Sequence, residues 1–337
     1  MMNDSTPLTE AQRSYADALP LRATGAETVT LLEALGRTVY QDLIAPGDVP
    51  PYHRAIVEGY LVRTEDTRSA SEQAPVSFTV VGAVHPGDES CLEPATGLAM
   101  EVTTGSLVPG GPYSIVRQWE AEREGANITI TRPFPPRFFI EDQGCEIAQG
   151  SVVLAAGTVV GPREIGALAD LGLTALSVAL PPKVAIFACG DEVIPHNQPL
   201  KPGLIRDSNS PMLAAAVTQA GGEAVLKGIM ADDFDGFLAA ARQALKEADI
   251  LLIAGGTAAG GRDFVSDLFR ELGTVVVDGV PMRSGRPLIM GAAGGKPLVG
   301  VAGHPPEALR GFRLFGALAI NRLLGRDVPL PEDPRQT

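Results

Sequence analysis

The sequence predicts an α/β domain built on a mostly parallel sheet, joined to a helical linker domain and a small inserted β domain. Three observations carry the prediction. From Lys183 to Asp263 short apolar runs alternate with segments of helical spacing, the pattern of strand and helix units whose sheet is covered on both faces. Every acidic or glycine-rich cluster in that stretch falls where a strand should end, which is where open parallel sheets bind ligands. From Tyr60 to Thr131 the texture changes to short alternating runs separated by Gly or Pro, the signature of an all-β unit.

Within the α/β stretch, Val184 to Cys189 is an apolar run that stops at Gly190-Asp191-Glu192. Asp207-Ser208-Asn209 then leads into a helix through Pro211 to Val217, with Ser or Asn as its N-cap. The pattern repeats as strand Ala224 to Ile229, turn Asp232-Asp233 and helix Phe234 to Lys246, with apolar residues at Phe237, Leu238, Ala241 and Leu245. A third strand, Asp249 to Ala254, breaks at a small-residue run opening with Gly255-Gly256. Phe264, Val265, Leu268 and Phe269 resume helical spacing.

Ahead of this, Thr9 to Tyr40 reads as helix in two pieces, Ala11 to Ala18 and Thr28 to Tyr40, before Pro46, Pro50 and Pro51 punctuate the chain. Val76 to Val81, Ser114 to Val116 and Asn127 to Ile130 read as strands of the β unit, which Pro133-Phe134-Pro135-Pro136 closes. Pro162 to Ala169 is a helix started by proline. These readings place a discontinuous linker domain at 1–48 and 138–178, the inserted β domain at 49–137, the α/β domain at 179–326 and a frayed, proline- and charge-rich tail at 327–337.

A chain of 337 residues has room for two or more such domains. No apolar run approaches the roughly 20 residues of a membrane span, and Met1 to Glu10 lacks the apolar core of an export signal. A cytoplasmic location is the expectation. Cys91, Cys145 and Cys189 are odd in number and widely spaced, against a disulfide framework or a metal knuckle. The net charge of -13 argues against nucleic acid and anionic membrane as partners. An anionic ligand would have to be held locally, by helix ends and a few arginines.

Six stretches, Pro51 to Val62, Thr103 to Pro109, Val184 to Asn209, Gly255 to Val265, Met282 to Pro287 and Gly300 to Leu309, resemble in order the motifs of the molybdopterin molybdenumtransferases. That family is called MoeA in bacteria and the E domain of gephyrin in animals. The likeness runs to about Leu324. It implies a three-layer α/β domain of the molybdopterin-binding fold and a homodimer. It also implies molybdopterin or adenylyl-molybdopterin and molybdate as substrates, with Mg2+ as cofactor. A fourth, carboxy-terminal β domain would begin where this sequence ends, and other cofactor-biosynthesis proteins or molybdoenzymes are the implied partners.

Residue by residue, Gly190-Asp191-Glu192 matches the family's GDE, carboxylates placed for a magnesium ion or the donors of the pterin. Asp207-Ser208-Asn209 matches its DSN, which would cap a helix and face the ligand. Asp232-Asp233 matches its DD, Gly255-Gly256 with Asp263 its glycine loop and following acid, and Thr104-Gly105 its TG. The resemblance thus implies catalytic roles for Asp191, Glu192, Asp233 and Asp263, with magnesium on Glu192 and Asp263. It implies ligand contacts from Thr104, Gly190, Asp207, Ser208, Asn209, Gly255 and Gly256, while Arg283 and Arg286 match a basic pair that holds molybdate.

Departures from the pattern lie elsewhere. His53-Arg54-Ala55 and Glu58 replace short polar residues, Ala258 and Gly261 replace a Ser and an Asp of the glycine loop, and Glu307 stands where a GNPVSA-type motif has Ser. A carboxylate near a dianion is repelled unless it protonates or a cation intervenes. Arg283 and Arg286 could pair with Glu307 as a structural ion pair, which would close the anion pocket from within. Two readings stand: a transferase of molybdenum cofactor biosynthesis that inserts molybdate, or a noncatalytic carrier or chaperone that grips the pterin through a degenerate molybdate site. A nucleotide-hydrolysing enzyme is a third, disfavoured by the amino-terminal helices and the β insert.

Overall fold

The computed structural model describes residues 7–90, 92–231, 233–256, 264–280, 285 and 287–333. By internal contacts the chain divides into two units, residues 1–42, 155–165 and 174–337, and residues 43–154 and 166–173.

The first unit is built on the strand and helix alternation. Its elements are β1 (Lys183–Cys189), α1 (Asn209–Ala220), β2 (Glu223–Met230), α2 (Phe234–Glu247), β3 (Ile250–Ala254), α3 (Phe264–Leu272), β4 (Thr274–Asp278), β5 (Ile289–Ala293) and β6 (Lys296–Val301). They form one six-stranded sheet in the order β2-β1-β3-β6-β5-β4. The pairs β1 with β2, β1 with β3 and β3 with β6 are parallel. β5 runs against both of its neighbours. Gly294-Gly295, both at positive φ, closes the β5–β6 hairpin, the two-residue turn such a connection favours.

Because side chains alternate across a strand, continuous apolar runs feed both faces. Val184, Ile186 and Leu252 pack on one side with Leu213, Val217, Phe315 and Ile320. Ala185, Phe187, Leu251 and Ile253 pack on the other with Phe237, Val265 and Phe269. That gives helix, sheet and helix layers. Tyr15, on the amino-terminal helix Pro7–Asp17, is fully buried and its hydroxyl donates to the Leu298 carbonyl at 3.2 Å. Burial pushes its pKa far up.

Two expectations are corrected here. Thr28 to Tyr40 is not a second helix: Ala26–Thr30 is a strand paired antiparallel with Ala175–Ala179, and turns follow. Glu33 accepts hydrogen bonds from the Thr30 N–H at 3.0 Å and the Thr30 hydroxyl at 2.8 Å, and Gly36 at φ 75° ends the turn. The apolar spacing that suggested a helix comes partly from Leu32 and Leu35, which are exposed. Nor is the tail frayed as far as it is described. Gln12 donates to the Pro331 carbonyl at 2.8 Å, and Asp333 forms a buried ion pair with Arg310.

The second unit is β-rich, as the alternating runs predict. Its six-stranded sheet runs Tyr113–Arg117, Gly59–Arg63, Leu98–Val102, Val76–Val84, Asn127–Ile130 and Glu122–Glu124. Leu61, Met100 and Ile115 pack on one face, and Tyr60, Phe78, Val116 and Ile128 on the other. No helix among the described residues is long and apolar enough to cross a membrane.

Candidate functional site

The carboxyl ends of β1, β3 and β6 converge. A Cβ on Gly255 would lie 2.6 Å from the Cys189 carbonyl oxygen, and one on Gly256 would lie 3.1 Å from Cys189 Sγ. The Gly255 N–H donates to the Val301 carbonyl at 3.1 Å, and a Cβ on Gly303 would sit 3.5 Å from the Gly255 Cα. Gly255 holds φ at 96°, a conformation glycine adopts without cost. Sequence and geometry agree that these glycines let three strand ends meet at one rim.

The acidic loop after β1 is folded onto the same rim. Val193–Ile194 pairs parallel with Ile205–Arg206, and the Ile205 N–H donates to the Glu192 carbonyl at 2.8 Å. This short ladder, too brief to show as a period in the sequence, ties the two arms of the loop together, with Glu192 before one strand and Asp207 after the other. Gly190, at φ 141°, leaves room for the Glu192 carboxylate, whose Oε2 is 2.8 Å from where a Cβ would be. Asp191 and Glu192 are both exposed at the rim.

At the start of α1 the cap is not Ser208, which makes no side-chain capping bond. Asp207 does this work instead: its Oδ1 accepts the Ser210 N–H at 2.9 Å, and Asp207 is buried. A carboxylate there also meets the positive end of the helix dipole. Asn209 reaches across, its Nδ2 donating to the Gly303 carbonyl at 2.8 Å. The Asn209 Oδ1 is buried with no partner, an acceptor left for something else to satisfy. The Asn209 tie to Gly303 was not legible in the sequence, since 94 residues separate the two.

Asp233 stands at the end of β2, beside β1, where the Gly190 N–H donates to the Met230 carbonyl at 3.3 Å. Its carboxylate folds over Gly236, where a Cβ would lie 2.3 Å from Oδ2. Glu192 and Asp233 therefore follow the ends of the adjoining strands β1 and β2, while Asp207 follows the separate two-stranded ladder at the start of α1. Asp232, Ala258, Gly261, Asp263, Arg283 and Arg286 lie outside the described residues, as does the pairing of those arginines with Glu307. Glu307 itself sits in the first turn of the helix Pro305–Gly311. Cys189 is buried at 5% exposure, a core residue as expected.

Thr104 belongs to the β-rich unit. It is exposed in a turn where the Ser106 N–H donates to the Thr103 carbonyl at 3.0 Å and the Gly105 N–H to the Ala55 carbonyl at 2.8 Å. The substituted residues nearby are occupied within the unit. His53 Nδ1 lies 3.1 Å from Asp142 Oδ1, and Arg54 bonds Glu141 and, at 3.0 Å, Glu146. The Glu141 hydrogen bond raises the Arg54 pKa.

Among the described residues no three of His, Cys, Asp or Glu are grouped to hold a metal by themselves. Mg2+ commonly takes one or two carboxylates and completes its shell with water and phosphate. An exposed rim carboxylate such as Glu192 fits that habit.

Two family models match the chain: "MoeA N-terminal region (domain I and II)" over residues 6–172 and "Probable molybdopterin binding domain" over residues 185–322. The molybdopterin molybdenumtransferase of Staphylococcus aureus (strain MRSA252) is 30% identical over 301 residues, 89% of this chain and 72% of that protein. That of Staphylococcus epidermidis (strain ATCC 12228 / FDA PCI 1200) is 29% identical over 305 residues, 90% of this chain and 73% of that protein. Among solved structures, the molybdopterin biosynthesis MoeA protein of Pyrococcus horikoshii OT3 superposes with a TM-score of 0.79 at 31% identity, covering 96% of this chain and 80% of that one.

Proposed function

This chain belongs to the molybdopterin molybdenumtransferase family, and from that premise we propose that it inserts molybdate into adenylyl-molybdopterin in the biosynthesis of the molybdenum cofactor. The observation that carries this reading is the meeting of Gly190, Gly255 and Gly303 at one rim, tied to α1 by the 2.8 Å bond from Asn209. A Cβ on Gly255 would collide with the Cys189 carbonyl, so the glycines let the strand ends close into the carboxyl-end rim where open α/β sheets bind ligands.

In this reading Asp207, Ser208 and Asn209 orient the pterin, and Thr104 is a further ligand contact. Gly190, Gly255 and Gly256 admit the phosphate, and Arg283 and Arg286 counter the charge of molybdate. Asp191, Glu192, Asp233 and Asp263 act on the adenylate linkage: they orient the water that cleaves it and take up its proton. Glu192 and Asp263 would hold Mg2+, which supplies charge neutralisation at the phosphate when bound. The rate enhancement comes from positioning two anions in a net-acidic protein. The active form is a homodimer in the cytoplasm.

The test is molybdate-dependent release of AMP from adenylyl-molybdopterin by the purified chain. Pterin binding with no AMP release under any molybdate concentration would overturn the catalytic proposal.

A further inference from the structure

A cavity of about 620 Å3 opens within the first unit at the end of the sheet opposite the rim, where α1 finishes and the chain turns through Gly221 and Gly222 into β2. The 12 residues of α1, roughly 18 Å of helix, separate it from Asn209. Arg37, Thr38 and Arg326 line it, with Leu35 and Val159 as apolar wall, and no Asp or Glu among the described residues does. The chain carries 40 acidic residues against 27 lysines and arginines, so a wall with two arginines and no carboxylate calls for a reason.

Arg326 is half-buried, and burial holds its pKa below the ordinary guanidinium value. Its Nε donates to the Thr38 hydroxyl oxygen at 2.8 Å, and its Nη1 to the Ala220 carbonyl at 3.3 Å and to Asn321 Oδ1 at 3.2 Å. All of these acceptors are neutral. A cation drawn out of water is costly unless an anion meets it, yet Arg326 enters no ion pair among the described residues. Capping the last carbonyls of α1 explains Nη1; it leaves Nη2 with no acceptor. A Cβ on Gly221 would lie 3.2 Å from that nitrogen, and Gly221 ends α1 at φ 94°, a conformation suited to glycine. Arg37 uses only Nη2, on Glu27 and on the Ala179 carbonyl at 3.0 Å, and keeps Nε and Nη1 unspent. Thr38, 1% exposed, accepts from Arg326 and has no acceptor for its own proton.

Unspent donors on a wall without carboxylates select an anion. Donors from Arg37, Thr38 and Arg326 suit the three terminal oxygens of a phosphoryl group better than the flat edge of a carboxylate. Leu35 and Val159, 57% and 46% exposed, offer cover to an organic group attached to it. We propose that this cavity binds a small organic phosphate, its phosphoryl group held by Arg326 and Arg37, at a second site apart from the rim.

The experiment titrates the isotope-labelled full chain with phenyl phosphate, inorganic phosphate and benzoate and follows the backbone amide resonances. Phenyl phosphate should move the amides of Thr38, Gly221 and Gly222 to saturation. It should bind at least roughly threefold tighter than inorganic phosphate, which leaves the apolar wall bare, and roughly tenfold tighter than benzoate. Arg326→Gln should weaken phenyl phosphate by roughly tenfold or more. Because Arg326 also ties down the end of α1, Arg37→Gln is the second variant; it leaves that tie in place and should weaken binding by roughly three- to tenfold. Shifts confined to Gly255 and Gly303 would place phosphate at the rim alone and overturn the proposal. So would the absence of saturable shifts, benzoate or inorganic phosphate bound as tightly as phenyl phosphate, or unchanged affinity in a folded Arg37→Gln protein.

Discussion

Replacing Gly255 with alanine tests whether the convergence of strand ends is a steric fact of the fold. The new methyl would meet the Cys189 carbonyl oxygen at 2.6 Å, and it would need to retreat about 0.8 Å to reach ordinary contact at 3.4 Å. That oxygen belongs to β1, which is flanked by β2 and β3, so the relief must come from parting two strand ends. Two costs add: holding alanine at φ 96° costs about 1 to 2 kcal/mol, and forcing an atom into packed backbone costs about 1 to 3 kcal/mol more. Gly203→Ala is the control. Gly203 has φ 86° with nothing within 4 Å of its Cβ position, so only the backbone cost of about 1 to 2 kcal/mol applies. Urea unfolding of the α/β unit, followed by far-ultraviolet circular dichroism, measures both. We expect Gly255→Ala to be the more destabilising by at least about 1 kcal/mol, with pterin-adenylate binding lost in parallel. Two variants equal within error would refute the close approach of β1 and β3 on which the proposed ligand rim depends.

Three further outcomes follow from named contacts. Glu120 accepts bonds from Arg117 at 2.8 and 3.0 Å and from Arg132, and these hold its pKa down to about 2. The stabilisation is therefore present above the ordinary carboxylate pKa of 4.5 and is lost as pH falls from there towards about 2. Glu120→Gln should cost about 1 to 2 kcal/mol at neutral pH after allowance for solvent screening. The fluorescence of Trp119, the sole tryptophan, reports it, and a difference that persists at pH 2 would contradict the assignment. Asp333→Asn should destabilise the α/β unit by about 3 kcal/mol, since it strips the carboxylate from buried Arg310; a shift in melting temperature of less than a degree would count against the docked tail. Glu307→Ser should tighten molybdate binding several-fold, because it removes a negative charge near a dianion, and unchanged affinity by calorimetry would show that Glu307 is already neutralised there.

The sequence by itself determined the first three strands of the α/β sheet and the helices that follow them, because burial on both faces of a parallel sheet writes continuous apolar runs between caps. Val184 to Cys189, Ala224 to Ile229 and Asp249 to Ala254 all became strands within a residue or two. It also located the acidic and glycine clusters at strand ends, since chain reversal needs those residue types locally. Local pattern failed at Thr28 to Tyr40, where exposed leucines imitate a helix period. Only the tertiary structure decided that Asp207 rather than Ser208 caps α1, that Asn209 binds Gly303, that Asp333 pairs with Arg310, and that Ser210 is buried without a partner. Each of these depends on contacts between segments far apart in sequence or on which way a short polar side chain turns. Composition and periodicity record how much of a segment is buried; they carry no record of its neighbours.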